Sequence, residues 1–295
     1  MKLTLVGSLG HINSFTIPAL VAQGHDVTVI TSSEARVPEI EQLGAHAQVG
    51  SIEDTAFLTD AFTGADAVYI MLTGRPAMGQ DIVEAGRALA ERYRIAIVAA
   101  DVHRVVDLSS VGADQGPEVG SLYTYHIMEN ILRAAPDVTY TFVRPVGFFA
   151  NLAGDMATIK HDHKLYRNFP ATICTGWVAP QDIAKVVVEA LNTTPTQNDV
   201  RYAISQWLTG YDLVAELAAG LGIPDLTWQT VTDDERLAQL KKVLPPAFAL
   251  SMMKSAQGQR KPDFYADLQA HRPQLGMQRL KDVMPQLKAA FDQVQ

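Results

Sequence analysis

The chain has 295 residues, 47% of them hydrophobic and 19% charged, and carries a formal net charge of −8. That length buries a large core without disulfide or metal staples, as one big α/β domain or as a main domain with a smaller lobe. The acidic balance, with no stripe of lysine or arginine, argues against a nucleic-acid surface, and no run approaches the ~20 apolar residues of a membrane span.

The first predicted element is a strand, Leu3 to Val6, which breaks at once into Gly7-Ser-Leu-Gly10-His-Ile-Asn13 and a helix-like stretch to Gly24. Met1-Lys2 leading straight into a strand lacks the order of a secretory signal, so the protein is expected in the cytoplasm. A strand, Gly-x-x-Gly and a helix are the opening of a dinucleotide-binding unit. The first glycine turns the chain off the strand, and the second clears a path for the cofactor pyrophosphate. The helix then aims its free N–H groups and positive dipole end at the phosphates. Asn13 stands where the third glycine is usual, so an ordinary strand-to-helix turn is the competing reading.

Further apolar, β-branched runs follow at Val27 to Thr31, Ala45 to Val49, Ala67 to Leu72, Val105 to Leu108 and Val138 to Val143. Between them lie helical patterns such as Thr55 to Phe62 and Asp81 to Arg94, where Ile82, Ala85, Leu89 and Tyr93 recur every three or four residues. Six βα units predict a Rossmann-like, doubly wound parallel sheet with right-handed crossovers. Ligands of such sheets lie beyond the carboxyl ends of the strands. The loops to inspect are therefore Gly7 to Ile12, Thr31 to Arg36, Leu72 to Met78, Ser109 to Gly112 and Pro145 to Asn151.

After about residue 155 the alternation loosens. Gln181 to Leu191, Tyr211 to Leu221, Asp233 to Val243 and Met277 to Phe291 read as amphipathic helices, with short strands at Val200 to Ile204 and Leu226 to Val231. This divides the chain into a dinucleotide-binding domain, 1–155, and a smaller, mostly helical C-terminal lobe, 156–295, some of whose segments could rejoin the main sheet. The lobe is expected to cover the carboxyl edge and supply a substrate pocket. A single cysteine, Cys174, excludes an intramolecular disulfide and a cysteine metal cluster, and reads as a small apolar filler. No metal site is expected.

Several segments, taken in order, resemble the NmrA-like branch of the atypical short-chain dehydrogenases, which includes NAD(P)H-dependent quinone and azo-type reductases and redox-sensing regulators. They are Val6-Gly7-Ser-Leu-Gly10, Gly50-Ser-Ile-Glu-Asp54 with Phe62-Thr-Gly64-Ala-Asp66, Leu108-Ser109-Ser110, His126-Ile-Met-Glu129, Tyr140-Thr-Phe-Val-Arg144-Pro145, and Phe148-Phe-Ala-Asn151. Val178-Ala-Pro-Gln-Asp182 and Ala270-His-Arg272-Pro273 continue the likeness through nearly the whole chain.

The resemblance implies a cofactor lying over Gly7, Ser8, Leu9, Gly10, His11 and Ile12, with Ile52, Leu72, Thr73, Gly74, Ser109, Tyr125, Pro145 and Phe148 as further contacts. It sets the adenine ribose near the end of the second strand. No carboxylate stands at that tip to accept both ribose hydroxyls, whereas Ser32, Ser33 and Arg36 suit a 2′-phosphate. The balance tips slightly to NADP(H) over NAD(H), although Glu34 opposes it and Arg36 also reads as a solvated helix residue. Ser51 occupies the place where relatives carry an adenine-contacting aspartate.

Carbonyl reduction calls for a tyrosine with a lysine one helical turn later, but Glu129 follows Tyr125 and Ile127 follows Tyr123. A glutamate there raises the tyrosine pKa, which disfavours carbonyl dehydrogenase or epimerase chemistry. Tyr125 falls where relatives often have lysine or histidine. It is the candidate catalytic residue, along the nicotinamide ribose, or else a half-buried tyrosine packing its helix on the sheet. His126 is a lesser candidate as proton shuttle. Phe149 reads as packing, Arg144 as a structural anchor between lobes, and Asp182 as an N-terminal helix cap tying the lobe to the sheet. Two functions are consistent with the sequence: a reductase passing hydride to a small flat acceptor such as a quinone, or a redox sensor that holds NADP(H) and acts through a protein partner. A homodimer is the other candidate assembly.

Overall fold

The computed structural model describes residues 1–73 and 81–294. The first half runs β1 (Lys2–Leu5), α1 (Asn13–Ala22), β2 (Asp26–Thr31), α2 (Val37–Gln42), β3 (His46–Val49), α3 (Thr55–Phe62), β4 (Ala67–Met71), α4 (Ile82–Ala99), β5 (Arg104–Leu108), α5 (Tyr123–Arg133) and β6 (Thr139–Pro145). There follow β7 (Gly147–Phe148), α6 (Met156–Asp162), β8 (Lys164–Arg167), β9 (Cys174–Val178), α7 (Pro180–Asn192), β10 (Asp199–Ala203) and β11 (Gln206–Thr209). The chain closes with α8 (Gly210–Leu221), β12 (Thr227–Thr230), α9 (Asp233–Lys241), α10 (Pro246–Gly258), α11 (Ala266–His271) and α12 (Leu280–Gln293). None of the described helices is long and apolar enough to cross a membrane.

Seven parallel strands form the main sheet in the order β10-β6-β5-β4-β1-β2-β3. The order reverses between β1 and β4, which opens a crevice at their carboxyl ends. Both faces are dry. Ile17 and Leu20 of α1 and Ile183 and Val187 of α7 cover one, while Leu58, Leu89, Tyr93, Met128 and Leu132 of α3, α4 and α5 cover the other. The strands therefore read as continuous apolar runs rather than alternating ones.

The sequence placed the end of β6 at Val143, but the strand continues to Pro145. Its outer neighbour is β10, which pairs with it from Thr141 to Pro145 and supplies the extra ladder. Thus α7 and β10, counted by sequence with the smaller lobe, lie in the main sheet and its helical layer. The remainder of the lobe is built on a three-stranded sheet, β11-β9-β7, a β12-β8 pair and a separate core of Phe149, Leu152, Leu213, Leu217, Val283 and Leu287.

Directional contacts join the two parts. Asp182 does not cap α7, whose first residue is Pro180 and whose N-cap is Ala179. Its carboxylate instead accepts from Ser205 Oγ at 2.6 Å and from the backbone N–H groups of Met277 and Gln278 at 3.0 Å each. Arg144, buried at the end of β6, donates Nε and Nη2 to Glu129 of α5 at 2.9 and 2.7 Å, and Nη1 to Tyr202 Oη of β10 at 3.1 Å and to Asp267 of α11 at 3.0 Å. Removing one partner of a buried ion pair strands the other. Arg144→Met is accordingly expected to lower stability by about 3–5 kcal/mol, read from urea unfolding, with a smaller loss for Arg144→Lys, which keeps the charge.

Candidate functional site at the carboxyl edge of the sheet

The turn after β1 is built around two backbone positions in left-handed space, Gly7 at φ +100° and Ser8 at φ +50°. At Gly7 the positive φ itself strains any side chain, and a Cβ would stand 2.6 Å from Met71 Sδ, so the methionine would have to shift. Ser8 is held by three bonds: its N–H to Ile30 O at 3.1 Å, its Oγ to Thr31 Oγ1 at 2.9 Å, and its carbonyl to Asn13 Nδ2 at 2.9 Å. Gly10 returns its N–H to Gly7 O at 3.1 Å, and a Cβ on Gly10 would lie 3.2 Å from that same oxygen.

Among the described residues, the N–H groups of Leu9, His11 and Ile12 have no backbone acceptor. Behind them α1 begins with no side-chain cap and no acidic residue in its first turn. By contrast, α3 and α4 are capped by Asp54 and Asp81, each accepting two backbone N–H bonds. A helix left open at its positive end, beneath a loop of free N–H groups, is a seat for an anion.

Beside this turn is the tip of β2. Arg36 ends a 3-10 turn over Glu34–Arg36, and its Nη1 donates to Ser8 Oγ at 3.3 Å. The guanidinium thus lies back against the first turn while remaining largely exposed, as is Ser32. Ile52 is half-buried against the α3–α4 core, and Ser51 Oγ accepts from Glu53 N–H within its own loop. At the end of β4, Leu72 and Thr73 are half-buried; Gly74 lies outside the described residues.

On the far side of the crevice the sequence candidates divide. Ser109 is buried, with its Oγ donating to Glu129 Oε1 at 2.6 Å and its N–H to Val143 O at 2.8 Å. Pro145 is buried in β6 and Phe148 half-buried just beyond it. Phe149 is fully buried and stacks on Trp177 with centroids 6.0 Å apart. Tyr125 and Glu129 lie one helical turn apart on α5, so both face the sheet. Burial, and then the charge of Asp107, push the Tyr125 phenol up to about 12. Like any tyrosine it is neutral at physiological pH, and the shift extends that state into the alkaline range. His126 points elsewhere: its Nδ1 sits 2.9 Å from Ala113 O, and its ring stacks on Tyr123 in an outer groove between α4 and α5 that includes Arg87 and Arg94.

Two features were not foreseen. Asp107 is fully buried in β5, and among the described residues neither carboxylate oxygen has a partner. Burial and the nearby Glu129 raise its pKa well above the usual range. An acidic residue inside an apolar strand was the available signal. Cys174 is exposed rather than a core filler. It lines a cavity of about 540 Å³ with Trp207, Arg260 and Tyr265, at the end of β9 opposite Val178, the residue that pairs with Phe148. Partial burial and Asp212 raise its thiol, so it is not an activated thiolate.

A parallel sheet whose order reverses at a glycine turn, with an uncapped helix behind it, defines the dinucleotide-binding class. The NAD(P)H-binding family model matches residues 7–194. The chain belongs to that family, in keeping with its NmrA-like motifs. No curated protein matches it. Among solved structures it is similar to triphenylmethane reductase from Citrobacter sp., with TM-score 0.78 and 16% identity over 98% of this chain and 100% of that one. An NADPH-dependent quinone oxidoreductase from Escherichia coli, solved with NADPH, gives 0.79 and 18% over 97% and 99%. A nucleoside-diphosphate-sugar epimerase from Staphylococcus aureus gives 0.77 and 16% over 96% and 99%. At such identities the likeness establishes the fold.

The tyrosine shift has a consequence for alkaline stability. A group whose pKa rises from 10.0 to about 12 on folding contributes stability that is intact below pH 10 and lost as the pH climbs towards 12. Tyr125→Phe is expected to make the fall in stability over that window shallower, measured by urea titrations at successive pH values.

Proposed function

We propose that this chain is an NAD(P)H-dependent reductase that prefers NADPH and passes hydride to a small flat acceptor such as a quinone. The observation that carries the cofactor preference is the Arg36 contact with Ser8. It draws a cation to the place where β1 and β2 meet, with Ser32 and the Ser8 hydroxyl as neighbours. A ribose phosphate there would find charge-assisted donors.

The first turn fits the cofactor. Backbone N–H groups of Leu9, His11 and Ile12 and the open end of α1 would hold its diphosphate, and the bare Gly10 lets that group come close. When bound, the nicotinamide supplies the hydride. The protonated Tyr125 phenol would hydrogen-bond the ribose or the acceptor oxygen, and the Phe148 ring would form one wall of a flat slot. Little more is required of the protein, since transfer to a quinone depends mainly on placement and exclusion of water. Two fold neighbours named for reducing triphenylmethane dyes and quinones support this choice of acceptor class.

Fluorescence titrations with NADPH and NADH, followed by turnover with quinones, test the reading. NADPH is expected to bind more tightly than NADH and to be oxidised by quinones. Arg36→Ala should weaken NADPH binding roughly tenfold, as the loss of one charge-assisted contact would, with NADH unaffected. Gly10→Val should abolish binding of both in a protein whose circular dichroism is unchanged. Binding without quinone turnover would favour the redox-sensor reading, and no binding of either would end the cofactor assignment.

A further inference from the structure

We propose that Asn13 is a positioning residue that fixes the direction of the turn's backbone donors before any dinucleotide arrives. The inference rests on reading that turn as the diphosphate seat. Asn13 is 1% exposed, and its Nδ2 donates to Val6 O and to Ser8 O, both at 2.9 Å. Those carbonyls flank Gly7. In a planar trans peptide the carbonyl of one residue and the N–H of the next point in opposite directions. Pulling the Val6 and Ser8 oxygens inward therefore turns the N–H groups of Gly7 and Leu9 outward. Neither N–H has a backbone acceptor among the described residues.

The same bond supports Ser8 in left-handed space, which a non-glycine residue enters only when its surroundings hold it there. A glycine at position 13 would leave both carbonyls without this anchor. The departure from the usual third glycine thus replaces backbone freedom with a side-chain pin. It comes at a cost to the fold, because Asn13 Oδ1 is buried and has no partner among the described residues. A residue kept only for packing would be better served by a side chain with no stranded oxygen. The cost is consistent with a role in shaping the turn, and a pre-shaped turn loses less freedom when a ligand binds.

The test compares wild type with Asn13→Gly and with Asn13→Asp, which keeps the shape but has no amide donors. Backbone ¹⁵N relaxation of Gly7 and Leu9 in the cofactor-free protein is measured together with the Kd for NADPH and the thermal midpoint. Both variants are expected to mobilise the Gly7 and Leu9 amides and to weaken NADPH binding roughly tenfold. For Asn13→Gly, which leaves the Val6 and Ser8 carbonyls unpaired and puts a glycine at the start of α1, the midpoint should also fall. Unchanged amide relaxation would overturn the proposal, as would an unchanged Kd alongside a lowered midpoint, the signature of a purely structural residue. If Asn13→Gly does not fold, Asn13→Ser, with a single smaller donor, should fall between wild type and Asn13→Asp in both relaxation and Kd; equality with wild type would overturn the proposal. A wild-type protein that binds neither dinucleotide would refute the cofactor reading, and the relaxation data would still decide whether Asn13 directs the two amides.

Discussion

A guanidinium cannot remain charged in a dry interior unless carboxylates and hydroxyls surround it in the right geometry. Arg144 meets that demand with partners from three different elements: Glu129 of α5, Tyr202 of β10 and Asp267 of α11. Apolar layers tolerate sliding, whereas a forked donor with fixed acceptors does not. Satisfying this one charge therefore sets α5 against β6, fixes β10 as the outer strand and latches the C-terminal segment to the sheet. Through Glu129 it also anchors Ser109, at the end of β5, and so shapes the crevice wall.

The two sides of the crevice are organised by opposite principles. Around β1 and β2 donors are left unpaired: among the described residues α1 has no side-chain cap, its first turn has no acid, and the N–H groups of Leu9, His11 and Ile12 have no backbone acceptor. Around β5 and β6 the polar groups turn inward. Ser109 and Glu129 are consumed by the Arg144 network, and Asp107 is buried where burial and Glu129 favour its neutral form. The unpaired donors thus stand on one side. The other presents the Phe148 ring and the Tyr125 phenol.

The parallel sheet was legible because its strands are apolar on both faces, a pattern that needs no knowledge of what lies beside them. The glycine turn was legible for a similar reason, since the conformation of Gly7 is a local requirement. Arg144 stood out as a polar residue in an apolar strand, whereas Asp107 carried the same signal and was passed over. The partners of Arg144 were not legible, since Asp267 is distant in sequence and reaches Arg144 only when α11 packs on β10. Arg36 was ambiguous for the same reason, and only the fold brings it to Ser8. Asp182 misled: a carboxylate after a proline looks like a cap, but its acceptors serve Ser205 and the backbone at residues 277 and 278.

The sequence by itself determined the element types, the βα alternation and the glycine turn that makes this an NAD(P)H-binding fold. These follow from hydrophobic period and backbone sterics, which act over a few residues. The tertiary structure decided that β10 joins the main sheet, that Ser109 faces the core, that Tyr125 faces the sheet while His126 turns outward, and that Asn13 pins the turn. Each depends on which carbonyl, carboxylate or strand edge is brought alongside by chain closure over long separations, and local patterns carry no record of such encounters.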